Sequence, residues 1–350
     1  MTRVLDGGGH EPQFEIRFCT AEDGVRIAYA TVGHGPFLVV PPAWISHLEL
    51  MWRDPAVRAF VLALAEHRTV LLYDKPGCGL SGPWQGRGTL DAEVRVLEAV
   101  VDHLEQERVD LLGVSTAAAV SLAFAVRHPK RVARLVAYGG YADGGKVASA
   151  EVRATMLDTV RKHWGAGSGV LADVFMADAT GDEKARFASF QRDAVTAELA
   201  CEQLEQCFEA SVEDRLNRVA TPTLVLHRRG DRAIPYRLGR DLAARIPDAR
   251  LVTLSGRSHF PWAGDSAAVV RAVLGHLGAG RPERRGPRPV LTPRQREVAA
   301  LVADGMSNRQ IALRLGIRER SAEGHVERIR HRLDVHSRAQ IAAWWTRHNN

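Results

Sequence analysis

The sequence predicts a two-part protein, in which a large α/β unit with a mostly parallel sheet is followed by a small all-α unit. Three observations predict this. Short apolar runs alternate with helical patterns from residue 14 to about residue 278, which favours a parallel sheet with helices on both faces. Strand patterns are missing between about 145 and 215, where helical patterns continue. After a segment rich in glycine, proline and arginine, only helical patterns remain.

Composition limits the class of protein. The chain has 350 residues, of which 45% are hydrophobic and 25% charged, and this excludes a disordered, collagen-like or coiled-coil protein. No apolar run approaches the ~20 residues that span a bilayer, and the polar start MTRVLDGGGHEP lacks the apolar core of a secretory signal. Four scattered cysteines do not make a disulfide or zinc framework. We therefore expect a cytoplasmic protein with reduced thiols and no membrane partner.

The strands and helices are predicted in the following order. FEIRFCT (14–20) and VRIAYATV (25–32) flank a turn and are typical of a hairpin. Six runs with the character of buried parallel strands follow: FLVV (37–40), TVLLYD (69–74), VDLLGV (109–114), RLVAYG (134–139), TLVLH (223–227) and RLVTL (250–254). Helices are predicted between them, for example over 90–106 and 116–127. The helical insertion at about 145–215 is expected to form a lid over a site at the strand ends.

A domain boundary is predicted at 279–289, which reads AGRPERRGPRP. Such a segment cannot bury an apolar face, so it is expected to be an extended linker. It separates a first domain over 14–278 from a second over 290–350. Residues 281–350 hold 15 Arg and no Lys against 7 acidic residues, a balance of +8 in a chain whose net charge is +6. A mildly acidic body with a strongly basic tail indicates nucleic acid as the partner of the tail.

A candidate nucleophile lies in the segment VDLLGVSTAAAVSLA (109–123). Here a strand runs into Gly113-Val114-Ser115-Thr116-Ala117 and then directly into a helix of small residues. A strand-to-helix turn that exposes a serine hydroxyl needs little side-chain bulk two residues before and two after the serine, which Gly113 and Ala117 provide. Taken alone, such a turn is common and is also compatible with an ordinary structural role.

Two later loops supply the partners that a nucleophilic serine needs. Asp231 follows the strand TLVLH, and His259 follows the strand RLVTL. Sites in open α/β sheets form beyond the carboxyl ends of the strands, where both loops are predicted to lie. Singly, each residue carries little information in a chain with 14 histidines. The order Ser115, Asp231, His259, with each residue in its own strand-end loop, is much less likely to arise by chance.

With these residues in place, the body resembles the α/β-hydrolase family over roughly 14–278. The loop Asp74-Lys75-Pro76-Gly77-Cys78-Gly79-Leu80-Ser81 is similar to the family's D-x-R-G-x-G-x-S loop, with Pro76 in place of the usual Arg. The resemblance implies that Ser115 is the nucleophile, that His259 is the general base, and that Asp231 orients the imidazole.

The resemblance also implies an oxyanion hole made of two backbone N–H groups. One is expected from Thr116. The other is expected from the loop after FLVV, which reads Pro41-Pro42-Ala43-Trp44 where the family usually has His-Gly. Prolines have no N–H, so either Ala43 or Trp44 must donate.

The same loop continues into a stretch of the form P-x-x-W-x-x-H-L-E-x-x-W, which is similar to hydrolase-fold regions fused to bacterial signalling outputs. That resemblance favours a sensor role. His47 and Glu49 have no second ligand cluster, so we predict no metal site and no cofactor. Four aromatic side chains are candidates for lining an apolar ligand pocket, although core packing alone would also explain them: Trp44, Trp164, Phe260 and Trp262.

The basic tail is predicted to form four short helices. Thr292-Pro293-Arg294-Gln295 and Ser307-Asn308-Arg309-Gln310 both have capping-box patterns, and Gly305 and Gly316 end the first two helices. Ala322, Val326, Ile329 and Leu333 lie on one face of a third helix, and 339–346 form a fourth. Arginine on exposed faces suits helix-turn-helix DNA binding, while composition alone would also fit another basic interaction module.

Over about 60 residues the tail resembles the LuxR/GerE-type DNA-binding domain. The resemblance is carried by the sequence LTPRQREVAALVADGMSNRQIALRLGI…HVERIRHRL…SRAQ. The resemblance implies that the helix from about Glu319 to Leu333 enters the major groove of double-stranded DNA. Residues near bases or phosphates would be Arg320, Ser321, Glu323 and His325, and residues near the backbone would be Asn308, Arg309, Arg328 and Arg332. Arg318 in place of the usual capping Ser, and Gly324 within the helix, would each cost about 1 kcal/mol.

Two functions are compatible with these patterns and resemblances. The first is a transcription regulator whose hydrolase-like domain senses, and in one version hydrolyses, a small ligand, with a homodimer expected because symmetric operators pair half-sites. The alternative is an active serine hydrolase, an esterase or lactonase, with an accessory DNA-binding domain. A nucleotide cyclase is disfavoured because no further catalytic domain fits before the basic tail.

Overall fold

The computed structural model describes residues 14–21, 23–84, 88–278, 291, 293–333, 335 and 337–348. Within them the chain divides into two compact units, one up to residue 278 and the other from residue 291 onward. The linker predicted at 279–289 and the capping residue Thr292 lie outside the described residues, so the domain limits stay a prediction. No helix in the described ranges has both the length and the apolar character needed to cross a bilayer.

The first unit is built on one sheet of eight strands among its described residues. Its order is β1-β2-β4-β3-β5-β6-β7-β8. The pairs β1–β2 and β2–β4 are antiparallel, and the other neighbours are parallel, as predicted. The strands are β1 (Ile16–Thr20), β2 (Arg26–Val32), β3 (Phe37–Val40), β4 (Thr69–Tyr73), β5 (Val109–Val114), β6 (Val132–Tyr138), β7 (Thr223–Arg228) and β8 (Ala249–Leu254).

Helices cover both faces of this sheet. They are α1 (Leu48–Arg53), α2 (Pro55–Ala65), α3 (Leu90–His103), α4 (Thr116–Arg127), α5 (Ala150–Lys162), α6 (Trp164–Phe175), α7 (Gly181–Ala194), α8 (Ala197–Glu209), α9 (Tyr236–Arg245) and α10 (Ser266–Leu277). One apolar cluster joins α2, α10 and the lid helices α5–α8 to one face, and a second joins α3, α4 and α9 to the other. Successive side chains of a strand point to opposite faces of the sheet. In β5, for example, Leu111 belongs to the second cluster and Leu112 to the first. The predicted helical insertion is therefore four helices between β6 and β7.

The second unit is all helical. Its helices are α11 (Pro293–Ala303), α12 (Asn308–Leu315), α13 (Glu319–Leu333) and α14 (Arg338–His348). Val298, Ile311, Ala322, Val326 and Ile329 meet in its buried core, as the spacing predicts. The capping box at the start of α12 is present, and the glycine that ends this helix has a left-handed backbone.

Candidate active site and nucleic-acid interface

Ser115 lies in the sharp turn between β5 and α4. Its backbone is strained, with φ 56° and ψ −126°, and it is one of two non-glycine residues with positive φ in the described chain. The turn is fixed because Ser115 N–H donates to the Tyr138 carbonyl at 2.8 Å and Ala118 N–H donates to the Ser115 carbonyl at 3.0 Å. At Gly113, a Cβ atom would come within 2.6 Å of the Ala117 carbonyl oxygen. The small residues are therefore required by the close approach of helix and strand.

Asp231 and His259 form a buried pair in the loops after β7 and β8. His259 Nδ1 and Asp231 Oδ2 are 2.8 Å apart, and each side chain is 1% exposed. The other carboxylate oxygen accepts from the backbone N–H groups of Ala233 and Ile234 at 2.9 and 3.0 Å. Burial alone would raise the pKa of Asp231, but His259 and these N–H donors hold the pKa below its ordinary value. Asp231 is therefore a carboxylate that contacts the imidazole at Nδ1.

The serine and the histidine face one cavity. Ser115 and His259 both line a cavity of about 230 Å³. His259 Nε2 is buried and has no hydrogen-bond partner in the part of the chain that the structure describes, so it is available to accept a proton. Hydrogen bonds between a nucleophile and its general base are often long in unliganded sites and shorten when substrate binds. Ser115, His259 and Asp231 are the residue types that acyl transfer through a serine nucleophile requires.

The candidate oxyanion donors border this site. Thr116 and Trp44 line the catalytic cavity, whereas Ala43 lines only a neighbouring cavity. Lys75 is 1% exposed, pairs with Glu93 at 2.9 Å, and donates to the Ala43 carbonyl at 3.4 Å. Burial works against the charge of Lys75, but Glu93 raises the pKa of its ammonium above the ordinary value. The loop that carries Ala43 and Trp44 is thus held by a buried ion pair.

The predicted pocket aromatics separate into three positions. Trp44 and Phe260 line the catalytic cavity. Trp262 stacks on Phe260 with ring centroids 4.7 Å apart and lines only the neighbouring cavity. Trp164 lines neither of these two cavities, which corrects the expectation from the sequence. Its ring lies 6.5 Å from that of Trp44, and its indole N–H donates to the Val195 carbonyl, so it supports the cavity wall from behind.

Arg228 is a positioning residue that the sequence did not reveal. It is 1% exposed, and its guanidinium donates to the carbonyls of Ser258, Phe260 and Ala263 at 2.9, 3.3 and 2.5 Å. It therefore holds the loop that carries His259. The sequence shows Arg228 and Arg229 side by side. Arg228 is the last residue of β7, all of whose residues are buried, whereas Arg229 lies in the following turn and is exposed.

Gly139 and His227 were not predicted from the sequence either. Gly139 has φ +57°, and a Cβ there would lie 2.9 Å from His259 Cε1, so glycine leaves room for the imidazole. His227 is fully buried, and its Nε2 lies 2.9 Å from the Ile234 carbonyl and 3.7 Å from Asp231 Oδ2. Burial lowers the pKa of His227, so it is a neutral donor that supports the Asp231 loop. Within the described residues no group of three His, Cys, Asp or Glu is arranged to hold a metal ion.

The predicted DNA-contact residues belong to α12 and α13 of the second unit. Five of them are exposed: Arg309, Arg320, Ser321, Glu323 and Arg328. Asn308 is half-buried and accepts from Arg338 at 2.8 Å. His325 is half-buried, and burial lowers the pKa of its imidazole, with Arg328 and Arg294 adding to the shift. The side chain of Arg332 lies outside the described residues. On α13 the exposed arginines Arg320 and Arg328 lie among the exposed carboxylates Glu319, Glu323 and Glu327.

Comparisons with known proteins agree with both units. Residues 34–272 match the family model described as "Alpha/beta hydrolase family", and residues 289–345 match "Bacterial regulatory proteins, luxR family". A 2-hydroxy-6-oxononadienedioate/2-hydroxy-6-oxononatrienedioate hydrolase of Cupriavidus pinatubonensis is 28% identical over 75% of this chain and 95% of its own length. A 2-hydroxy-6-oxo-2,4-heptadienoate hydrolase of Pseudomonas putida is 29% identical over 63% of this chain and 83% of its own length.

Two solved structures are similar to the first unit. A hydrolase from Pseudomonas aeruginosa superposes with a TM-score of 0.66 and 25% identity, covering 78% of this chain and all of its own. The enol-lactonase from Burkholderia xenovorans superposes with a TM-score of 0.62 and 25% identity, covering 75% of this chain and all of its own. The alpha/beta hydrolase model matches more than half of the chain, so the chain belongs to the alpha/beta hydrolase family. It also carries a C-terminal helix-turn-helix domain of the luxR type.

Proposed function

We propose that this protein is a DNA-binding transcription regulator whose hydrolase-fold unit senses a small ligand. The observation that carries the proposal is the presence, in one chain, of a cavity bordered by Ser115 and His259 and of a luxR-type helix-turn-helix domain. A ligand that binds the first unit changes how two copies of the second unit engage paired half-sites, so the active form is a homodimer. The protein acts in the cytoplasm, where DNA and ligand are both accessible.

The same site supports acyl-transfer chemistry. His259 Nε2 takes the proton of the Ser115 hydroxyl as the oxygen attacks a carbonyl carbon, and Asp231 stabilises the imidazolium that forms. The N–H of Thr116, with that of Trp44 or Ala43, stabilises the negative oxygen. The protonated His259 then gives its proton to the leaving group. In the second half, His259 takes a proton from water as the water attacks the acyl carbon, and it returns this proton to the Ser115 oxygen as the acyl bond breaks.

The ligand class follows from the cavity. Most of its lining is apolar, and Arg232 is the cationic residue among those lining it. The relatives are named for hydrolysis of 2-hydroxy-6-oxo dienoate acids. A compact oxo acid, ester or lactone would place its carbonyl at Ser115 and its carboxylate near the exposed guanidinium of Arg232. Arg232→Gln should then weaken binding of an acidic ligand and leave binding of the matching methyl ester unchanged.

DNA binding by the full-length chain tests the regulatory function. The dissociation constant for its own upstream region is measured with and without candidate oxo acids, at several salt concentrations. We expect a ligand-dependent shift and a steep loss of affinity with salt, because the arginines of α13 release counterions. Absence of any salt dependence, or an unchanged affinity with a ligand that demonstrably binds, would contradict the proposal.

The second candidate function is an active esterase or lactonase with an accessory DNA-binding domain. The 2.8 Å bond between His259 and Asp231 and the strained backbone of Ser115 favour it. Turnover of a generic ester that disappears in Ser115→Ala would support it. If the wild-type chain turns over nothing while Ser115→Ala regulates normally, the first unit is a binding module.

A further inference from the structure

The lid is hydrogen-bonded to the loop that carries His259. Two segments meet here: residues 175–178, where α6 ends, which we call the lid turn, and residues 255–263 after β8, which we call the histidine loop. The backbone N–H of His259 donates to the Phe175 carbonyl at 2.7 Å. The backbone N–H of Asp178 donates to Ser258 Oγ at 2.8 Å. The backbone of the lid turn is thus attached to the histidine loop at the catalytic residue and at its neighbour.

The side chain of Asp178 adds three further hydrogen bonds to the same loop. Its Oδ2 accepts from the backbone N–H of Arg257, and from that of Ser258 at 3.1 Å. Its Oδ1 accepts from Arg257 Nε at 2.8 Å. Burial by itself would raise the pKa of Asp178, but these N–H donors hold the pKa below its ordinary value. Asp178 is therefore a charged carboxylate at neutral pH, which is a stronger acceptor than a neutral oxygen.

The lid turn and Arg228 hold the histidine loop through different backbone groups. Arg228, on β7, donates to carbonyls of the loop, among them those of Ser258 and Phe260. The lid turn instead accepts from the N–H groups of residues 257, 258 and 259. The loop is therefore fixed from the sheet by Arg228 and from the lid by the lid turn. Loss of the lid contacts would leave it attached on the sheet side alone.

The histidine loop is also joined to the loop that carries Asp231. The Gly230 N–H donates to the Gly256 carbonyl, and the Arg232 N–H donates to the Arg257 carbonyl, both at 3.2 Å. These two bonds lie on either side of Asp231 in the sequence. Arg257 therefore connects Asp178, through its N–H, with the Asp231 loop, through its carbonyl.

We propose that Asp178 is a positioning residue for His259. It holds residues 257–259 where the imidazole can take the proton of the Ser115 hydroxyl, and displacement of the lid turn displaces this base. The inference rests on the acyl-transfer chemistry proposed above for the same site. Asp178 is not among the residues lining the catalytic cavity, so it acts through the histidine loop and not on the reacting atoms.

Three variants of the full chain test the role of the carboxylate. Asp178→Ala removes every side-chain acceptor, whereas Asp178→Asn keeps one oxygen for the two backbone N–H groups. Asp173→Ala is the matched control, because Asp173 is a lid aspartate that pairs at 3.0 Å with Lys184 of the same lid. We expect amide exchange of residues 257–259 to become at least about tenfold faster in Asp178→Ala, less than about threefold faster in Asp178→Asn, and unchanged in Asp173→Ala. Unchanged exchange in Asp178→Ala would overturn the proposal.

A spectroscopic signature reports on the imidazole itself. The proton on His259 Nδ1, which is shared with Asp231, is followed by NMR in the same variants. We expect it to exchange with water at least about fivefold faster in Asp178→Ala, because the imidazole is less firmly held, and to be unchanged in Asp173→Ala. A role of Asp178 in lid stability alone would leave this proton unaffected in Asp178→Ala, and that result would refute the positioning role.

Hydrolysis of p-nitrophenyl butyrate measures the consequence for the reaction. Asp178→Ala should lower kcat about tenfold and leave KM within about twofold, because the carboxylate places the base without contacting the ester. Asp178→Asn should keep most of kcat. A raised KM with unchanged kcat in Asp178→Ala would contradict the proposal. If the wild-type chain hydrolyses no ester, the hydrolase function fails, while the exchange and NMR results still decide the role of Asp178.

Discussion

Arg228 provides the sharpest test of how the histidine loop is positioned. Its guanidinium donates to three backbone carbonyls between residues 258 and 263 and is 1% exposed. Arg228→Met keeps a similar apolar stem and removes every donor. The three carbonyl oxygens then stay buried without this partner, and the loop that carries His259 loses its attachment to β7.

The magnitude follows from the number of broken bonds. A buried polar group left without its partner costs about 1–3 kcal/mol, and three such groups set a range of about 3–9 kcal/mol. Removing a buried charge recovers part of that cost, and the methionine stem keeps most of the packing. We expect Arg228→Met to lower the free energy of unfolding by about 3–5 kcal/mol, a large share of the ~5–15 kcal/mol typical of a domain.

Urea denaturation followed by far-UV circular dichroism measures this change, and hydrogen exchange of the segment 255–264 locates it. Arg229→Met is the matched control, because Arg229 is the exposed neighbour. It should change the unfolding free energy by less than ~0.5 kcal/mol. If the two variants are equally stable, or if exchange in 255–264 is unchanged in Arg228→Met, the guanidinium does not hold the loop.

Three further predictions concern single side chains. The pKa of Asp231 is depressed in the folded state, so its stabilising contribution is present at neutral pH and is lost as the pH falls below about 4. In Asp231→Asn, the free energy of unfolding should therefore fall less steeply as the pH is lowered. Gly139→Ala should slow fluorophosphonate labelling of Ser115 by on the order of tenfold or more, because the new methyl group displaces His259, while Gly24→Ala, in open space at a similar φ, should not. Gly324→Ala should raise the unfolding free energy of the second unit by about 0.5–1 kcal/mol, since the added methyl meets only the flexible end of an arginine at 3.7 Å; an unchanged melting temperature would contradict this.

Local patterns predicted the elements well, because the determinants of each element lie within it. The helix after Ser115 is predicted over 116–127 and observed as Thr116–Arg127, since the small residues that follow the turn also favour a helix. Strand β6 begins at Val132, two residues before its predicted start, because its first residues continue the parallel pairing with β5. The order of Ser115, Asp231 and His259 was readable for the same reason: each follows its own strand.

The supporting residues could not be predicted because their roles depend on contacts between distant segments. Arg228 reaches a loop 30 residues away, and Lys75, in the loop after β4, pairs with Glu93 on α3. Charged residues in these positions would ordinarily be assigned to the surface. Trp164 was expected in the pocket because it lies in the lid insertion, yet its ring packs against Trp44 and lines neither of the two cavities.

The loop after β3 has Pro41 and Pro42 where the family usually has His-Gly, and contacts with distant residues determine the effect of this difference. Pro41 and Pro42 remove two N–H groups and restrict the backbone, so the loop has less freedom than a glycine-containing one. Lys75 makes two hydrogen bonds to this loop. Its Nζ donates to the Ala43 carbonyl, and its backbone N–H donates to Ser46 Oγ at 2.9 Å. Because Lys75 holds the Ala43 carbonyl, the backbone N–H groups that follow the prolines are fixed in position although the loop contains no glycine. The loop that we propose as a source of an oxyanion donor therefore has a shape that depends on a buried ammonium group.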